Sequence, residues 1–278
     1  MSYKLILDKI ECREEFLISL KYHIRGIAEY FYTTKQMEVE VGNWFWMASS
    51  IDQIFFDGIR YDSAFEMCSS AHEYEIDKNN LHEKLINELT LFLYVYSGFE
   101  SLLNKLNLKN CEFRKGKINS ATFFIKENFS IKYNTIPKYK ESLSLLRELV
   151  NKSALSDFEK YFCLDECTDV NGVGIKVVYK LRNCLVHGDY SFPEPNEWFH
   201  SFPLEPEITK LCTRILLFSI QMLLIADCEN PNNIIELSNS EVIERNNEGE
   251  FMIGEYDFLN YYHIKRMNKS KNQISLFQ

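Results

Sequence analysis

Between residues 81 and 103 the apolar side chains Leu81, Leu85, Leu89, Phe92, Tyr96, Phe99 and Leu103 recur every three or four positions, with no proline among them. That period marks a helix with one apolar side. A stripe this long must be covered by other helices, which constrains the chain toward helix-on-helix packing. Ten glycines and six prolines in 278 residues leave few turn signals, which argues against a many-stranded sheet. The fold class read from the sequence is therefore mainly α, a helical bundle.

Helical spacing also connects Phe16, Leu20, Ile24, Ile27 and Phe31 within Glu11–Tyr32, and an aromatic-rich helical segment covers Trp44–Ile54. Tyr139–Val150 reads as a helix. Another resumes after Gly172 and Gly174 and runs to His187, with Gly188 where a capping glycine belongs. Four prolines make 192–206 a loop, and Glu207–Asp227 is the second long core helix. Val242–Glu244, the Asn246-Asn247-Glu248-Gly249 turn and Phe251–Ile253 suggest a small hairpin, followed by a basic end with Lys265, Arg266, Lys269 and Lys271. The expected organisation is an N-terminal helical extension (1–80), a helical domain (81–227) with a basic insert at about 107–138, and a C-terminal hairpin and tail (228–278).

Several classes are disfavoured. The first ten residues lack the layout of an export signal, and the most apolar run, Ile215–Ala226, is too short to span a bilayer, so no membrane association and a cytoplasmic location are expected. The eight cysteines show no paired metal-ligand spacing and read as reduced core thiols, with no metal and no cofactor. His72, Glu73, Glu75, Asp77 and His82 read as a solvated helix end, and the aromatic group Trp44, Phe45, Trp46, Phe55 and Phe56 as core. A net charge of −9 opposes indiscriminate nucleic-acid coating, yet charge is segregated. Lys105, Lys109, Arg114, Lys115, Lys117, Lys126, Lys132, Lys138 and Lys140 face only Glu112 and Glu127 in their stretch, and Phe and Tyr residues lie between them. Cations that track a backbone beside rings that accept unstacked bases make this stretch, with Arg114, Lys115 and Lys117, the RNA-contact candidate.

Chemistry concentrates in Arg182-Asn183-Cys184-Leu185-Val186-His187-Gly188. Ile175, Val178, Arg182 and Leu185 follow the helical period, so Arg182 stands where a leucine would normally sit, and a permanently charged guanidinium there needs a partner or a cleft. Glu100 interrupts the stripe of the other long helix in the same way and is the candidate partner. An imidazole in the last turn of a helix suits proton transfer near neutral pH. Arg182 and His187 nevertheless point about 140° apart on one ideal helix. Fraying of the last turn, or a second copy of the helix, must bring them together.

This segment resembles the HEPN family, whose signature is an arginine, often followed by a polar residue such as asparagine, and a histidine after four to six intervening residues. The order of a long helix with an internal glutamate, the signature helix, a loop and a final long helix is similar as well, over roughly residues 81–227. The resemblance implies a HEPN-like helical bundle that forms a homodimer with both motifs at one cleft. It also implies a metal-independent endoribonuclease in which the RNA 2′-hydroxyl attacks the adjacent phosphate. In that reading Arg182 holds the phosphate, His187 moves protons, Asn183 positions either, and Glu100 supports Arg182. A toxin or antiviral-defence effector with an antitoxin or defence-system partner is implied by the family alone. One branch carries a tyrosine two residues after the histidine; here Asp189 occupies that place and Tyr190 follows, as a supporting candidate. A catalytically inactive HEPN-like module that dimerises or binds RNA or nucleotide has the same fold, and an unrelated helical interaction protein is the third reading.

Overall fold

The structure is a computed structural model that describes residues 3–34, 38–60, 68–108, 114–190, 192–195, 202–228, 230, 233–237 and 251–265. Helices α1 (Tyr3–Glu14), α2 (Leu20–Thr34) and α3 (Val39–Ser50) lead into the 37-residue α4 (Ser69–Lys105). Then come α5 (Lys117–Phe124), continued by a π-helical turn over Ile125–Ser130, and α6 (Tyr139–Val150). A short 3-10 segment (Ser156–Tyr161) precedes α7 (Val173–His187) and α8 (Glu205–Asp227). Strands β1 (Ile234–Leu237) and β2 (Phe251–Gly254) pair antiparallel, with Ile234 opposite Gly254, and α9 (Glu255–Tyr261) closes the described fold.

The mainly α reading holds. Helix α8 is the axis: it is buried along almost its whole length and is packed by α4, α6, α7, α9 and α2. It is long and apolar enough to cross a membrane, which corrects the shorter run read from the sequence, but 94% of its most apolar window is buried inside the fold, as in a core helix. The glycine at its contact with α7 is there for space. A Cβ on Gly174 would lie 2.5 Å from Cγ2 of Ile215, so α7 approaches α8 only because that side chain is missing.

Several boundaries move: the helix expected over Trp44–Ile54 is α3 and ends at Ser50, and α8 begins at Glu205, inside the expected loop. Residues 11–32 are not one helix, because the chain turns between α1 and α2, where Leu17 pairs with Ile264 and the Ile18 amide donates to the His263 carbonyl. Helix α4 begins twelve residues before Leu81, so the division expected at 80/81 falls inside a helix, and α1, α2 and α9 share one hydrophobic core with α4 and α8. The hairpin partner of Phe251–Gly254 is Ile234–Leu237; Val242–Glu244, its turn, Pro231 and the basic end beyond Lys265 lie outside the described residues. The basic insert, which carries no clear periodicity of its own, is largely helical where it is described.

The core reading of the aromatic group needs correction, since Phe45 is fully buried while Trp44, Trp46 and Phe55 are exposed. So does the reading of the cysteines: Cys184 and Cys212 are buried free thiols, Cys12, Cys68 and Cys163 are exposed, and Cys167 is disulfide-bonded. The first turns of α4 are more than a solvated end. Tyr74 donates to Glu194 at 2.6 Å, Lys78 pairs with it at 3.2 Å, and a His82 ring nitrogen bonds the Pro193 carbonyl at 2.9 Å, so α4 tethers the chain that follows α7.

Candidate active site

Helix α7 is held at both ends. At its start, Asp169 Oδ1 accepts the amides of Asn171 and Gly172, and the Tyr139 hydroxyl accepts the Gly174 amide while donating to the Asn171 carbonyl. At its end, Gly188 takes the left-handed conformation at φ 73, and the amides of Gly188 and Asp189 both bond the Cys184 carbonyl. This is the six-to-one closure of a Schellman-type cap, and it fixes His187 in the last turn. The cap opposes fraying of this turn.

The buried stripe of α7 runs through Ile175, Val178, Leu181 and Cys184, with Arg182 at its margin and not within it. The guanidinium lies 3.5 Å from Glu100 Oε1, 5.5 Å from the centre of the Tyr96 ring, and within 3.4 Å of Asn183 Oδ1. Glu100 and Arg182 are both partly exposed, so the pair orients the guanidinium more than it stabilises the fold. Burial is the main cause that raises the Tyr96 pKa, and the Glu100 carboxylate adds to it, so this ring stays neutral beneath the cation.

Alongside lies a cleft of about 730 Å³ between α4, the start of α5, the 3-10 segment and α7. Arg114, Lys115 and Lys117 line it from the basic insert, which is where the sequence reading placed RNA contacts. Lys160, Lys176 and Lys180 line it too, and sequence reasoning missed these three. Their signal was present: Lys176, Lys180, Asn183 and His187 fall within about 60° of one another at 100° per residue, one row down α7. His187 is exposed at the end of that row, on a different face from Arg182. One protomer therefore assembles Arg182, Asn183, Glu100 and Tyr96, but not His187 with Arg182.

Asp165 organises the cleft. It pairs with Arg114 at 3.1 Å and with Lys176 more closely, and although burial opposes its charge, Lys176, the Cys167 amide and Thr168 together hold its carboxyl below the ordinary range. Tyr190 stands apart. It is buried against α8, burial foremost raises its pKa, and its hydroxyl is turned toward Thr209 without forming a sound hydrogen bond. Its hydroxyl is closed off from solvent.

Comparison with protein-family models, with curated proteins and with solved structures finds no match for this chain.

Proposed function

We propose that the protein is a HEPN-like endoribonuclease that works as a homodimer in the cytoplasm and cleaves RNA by 2′-hydroxyl attack on the adjacent phosphate. The observation that supports this reading is the setting of Arg182: it is held by Glu100 and Tyr96, two residues that line a cleft rich in cations, on the helix whose last turn carries His187. In the reaction the 2′-oxygen bonds to phosphorus as the bond to the 5′-oxygen breaks. The products are a 2′,3′-cyclic phosphate and a 5′-hydroxyl, and the proton lost from the nucleophile is balanced by one gained at the leaving oxygen.

Each side chain has a role. Arg182 forks onto the non-bridging oxygens and offsets the charge that grows on them. Asn183 bonds the same phosphate or the ring, and His187 of a second copy moves the proton. A role as toxin or defence effector, with a matching antitoxin or defence partner, goes with this proposal. The second reading, an inactive module that binds RNA, is favoured by the separation of Arg182 and His187 within one protomer.

Purified protein incubated with total RNA and a chelator separates the two. The nuclease reading expects cleavage that ends in cyclic phosphate and disappears in both Arg182→Ala and His187→Ala. Cleavage that survives both substitutions removes it, and binding without cleavage by any version selects the inactive module.

A further inference from the structure

We infer that the cleft beside α7 is the path of a single RNA strand, with phosphates on Lys160 and Lys180 and unstacked bases against Tyr161 and Tyr179. The inference deepens the ribonuclease reading and rests on it for the direction in which the strand leads, toward Asn183 and His187.

Unbalanced charge is the first support. Asp165 accounts for Arg114 and Lys176, but among the described residues Lys115, Lys117, Lys160 and Lys180 have no carboxylate partner. Two of these crowd one ring: the Lys160 and Lys180 ammonium groups lie 5.4 and 5.6 Å from the centre of Tyr161. Like charges gathered in a concave site attract an anion that can run between them.

Spacing is the second. Lys180, Asn183 and His187 follow one another down the same row of α7, about 4.5 and then about 6 Å apart along the axis. Steps of this size suit successive phosphates of an extended strand. Asp165 sets the register, because its bonds to Lys176 and Arg114 fix where two of the cations stand.

The aromatic residues decide the class of ligand. Tyr161 is half-buried between two lysines, and Tyr179 is exposed one turn from Lys176, so each offers a ring beside a cation. An RNA duplex keeps its bases stacked inward and would leave these rings unused, whereas a single strand turns bases onto them. The cleft volume also suits a nucleotide or two and not a duplex.

The test uses a short 2′-O-methyl oligoribonucleotide, which lacks the nucleophile and cannot be cut. Its binding to the full chain is followed by fluorescence anisotropy across salt concentrations. We expect Lys160→Gln with Lys180→Gln to weaken binding about tenfold or more and to flatten the slope of log affinity against log salt by about 0.7 for each phosphate that is no longer neutralised. Tyr179→Ala should weaken it roughly tenfold, and a duplex of the same sequence should bind at least tenfold more weakly than the strand. Far-UV circular dichroism confirms that each variant is folded; all of these positions are at least partly exposed. Wild-type affinity in the lysine variants, or equal affinity for strand and duplex, overturns the path. The two readings fail separately, because absent cleavage with intact cleft binding removes only the nuclease, and abolished cleavage in His187→Ala with unaltered binding by the cleft variants removes only the path.

Discussion

Arg214, 1% exposed at the centre of α8, donates from Nη1 to Nδ1 of the buried His23 at 2.9 Å. Because a guanidinium can only donate, this bond fixes the tautomer of His23 and, in sequence, every partner beyond it. His23 Nε2–H donates to Gln221 Oε1 at 2.9 Å, Gln221 Nε2 donates to the Leu259 carbonyl and to His263 Nδ1 at 3.1 Å, and His263 Nε2–H donates to the Pro137 carbonyl at 3.1 Å. Both rings are neutral in this arrangement, and it links α2, α8, α9 and the chain before α6.

Acid should therefore loosen the fold. Burial is the main cause that lowers both imidazoles, His23 well below and His263 to about 3, from an ordinary value of 6.5, with Arg214 adding to it and the Pro137 carbonyl acting against it at His263. The folded state binds fewer protons than the unfolded chain between those limits, so this stabilisation is complete above pH 6.5 and is lost as pH falls toward 3. We expect the unfolding free energy from urea titrations of Glu88→Gln, which lacks the opposing titration of that carboxyl, to fall between pH 6.5 and 4.5 by a few kcal/mol. A value that does not change over that range contradicts the neutral pair.

Arg214→Met removes the one cation that Glu14, the Ile18 carbonyl and His23 share. Leaving three polar groups without it at a buried position should cost about 3–5 kcal/mol. Chemical denaturation checks the loss, and a variant within about 1 kcal/mol of the parent would mean that water replaces the guanidinium.

Glu88 works in the opposite direction. Burial is the largest cause that raises its carboxyl to about 7, against the pull of Lys210, and one of its oxygens is buried without a hydrogen-bond partner. The folded state holds this proton more tightly than the unfolded chain, so the cost of ionising grows as pH rises from about 4.5 and is complete above 7. Glu88→Gln should stabilise the protein by about 1–3 kcal/mol at pH 8 and much less at pH 5, which paired melts at the two pH values will show.

Glu100→Gln probes the proposed site without disturbing the core. The Arg182 pair is partly exposed, so the melting temperature should shift by less than the equivalent of about 1 kcal/mol. Cleavage should fall by about tenfold or more, because the guanidinium loses the charge that aims it. Unchanged cleavage with unchanged stability would show that Arg182 needs no orienting partner.

Gly174→Ala tests how α7 is seated. Its Cβ would meet Ile215 at 2.5 Å and the Tyr139 hydroxyl at 2.7 Å, so α7 must retreat from α8 at a cost of about 1–3 kcal/mol. Stability by thermal melt and cleavage should decline together, since the same helix carries Arg182, Asn183 and His187.

The legible parts of the molecule were those encoded locally. Tyr139–Val150 matches α6 end for end, and Gly188 identified the end of α7, because a period and a cap are written in neighbouring residues. The pairing of Arg182 with Glu100 was legible because the sequence sets each in line with an apolar period; in the structure Arg182 lies at the margin of its stripe and Glu100 is exposed, and the two meet there. The basic cleft was half visible. Arg114, Lys115 and Lys117 sit in a charge-biased stretch, but Lys160, Lys176 and Lys180 join them only through tertiary packing, and their separate segments look ordinary. The relay from Arg214 to His263 was hidden, since Gln221 reads as an interruption of an apolar run until α2 and α9 are seen on either side of it. Likewise the start of α4 at Ser69 lacks a side-chain cap and an apolar stripe, and its polar first turns are explained by the loop they hold.

The strand-like pairing of Leu17 with Ile264, and the Lys265 amide on the Phe16 carbonyl, have a consequence for synthesis. A chain emerging from the ribosome carries α2 before the segment that closes over it, near Ile264, has been made. Until then the flank of α2 that Tyr262 and Phe258 cover is open to water, and the guanidinium at the middle of α8 has no completed circuit to enter. Under the proposed ribonuclease function, a fold that closes over α2 only once the segment near Ile264 has been made would not be armed while that part of its message is still being read.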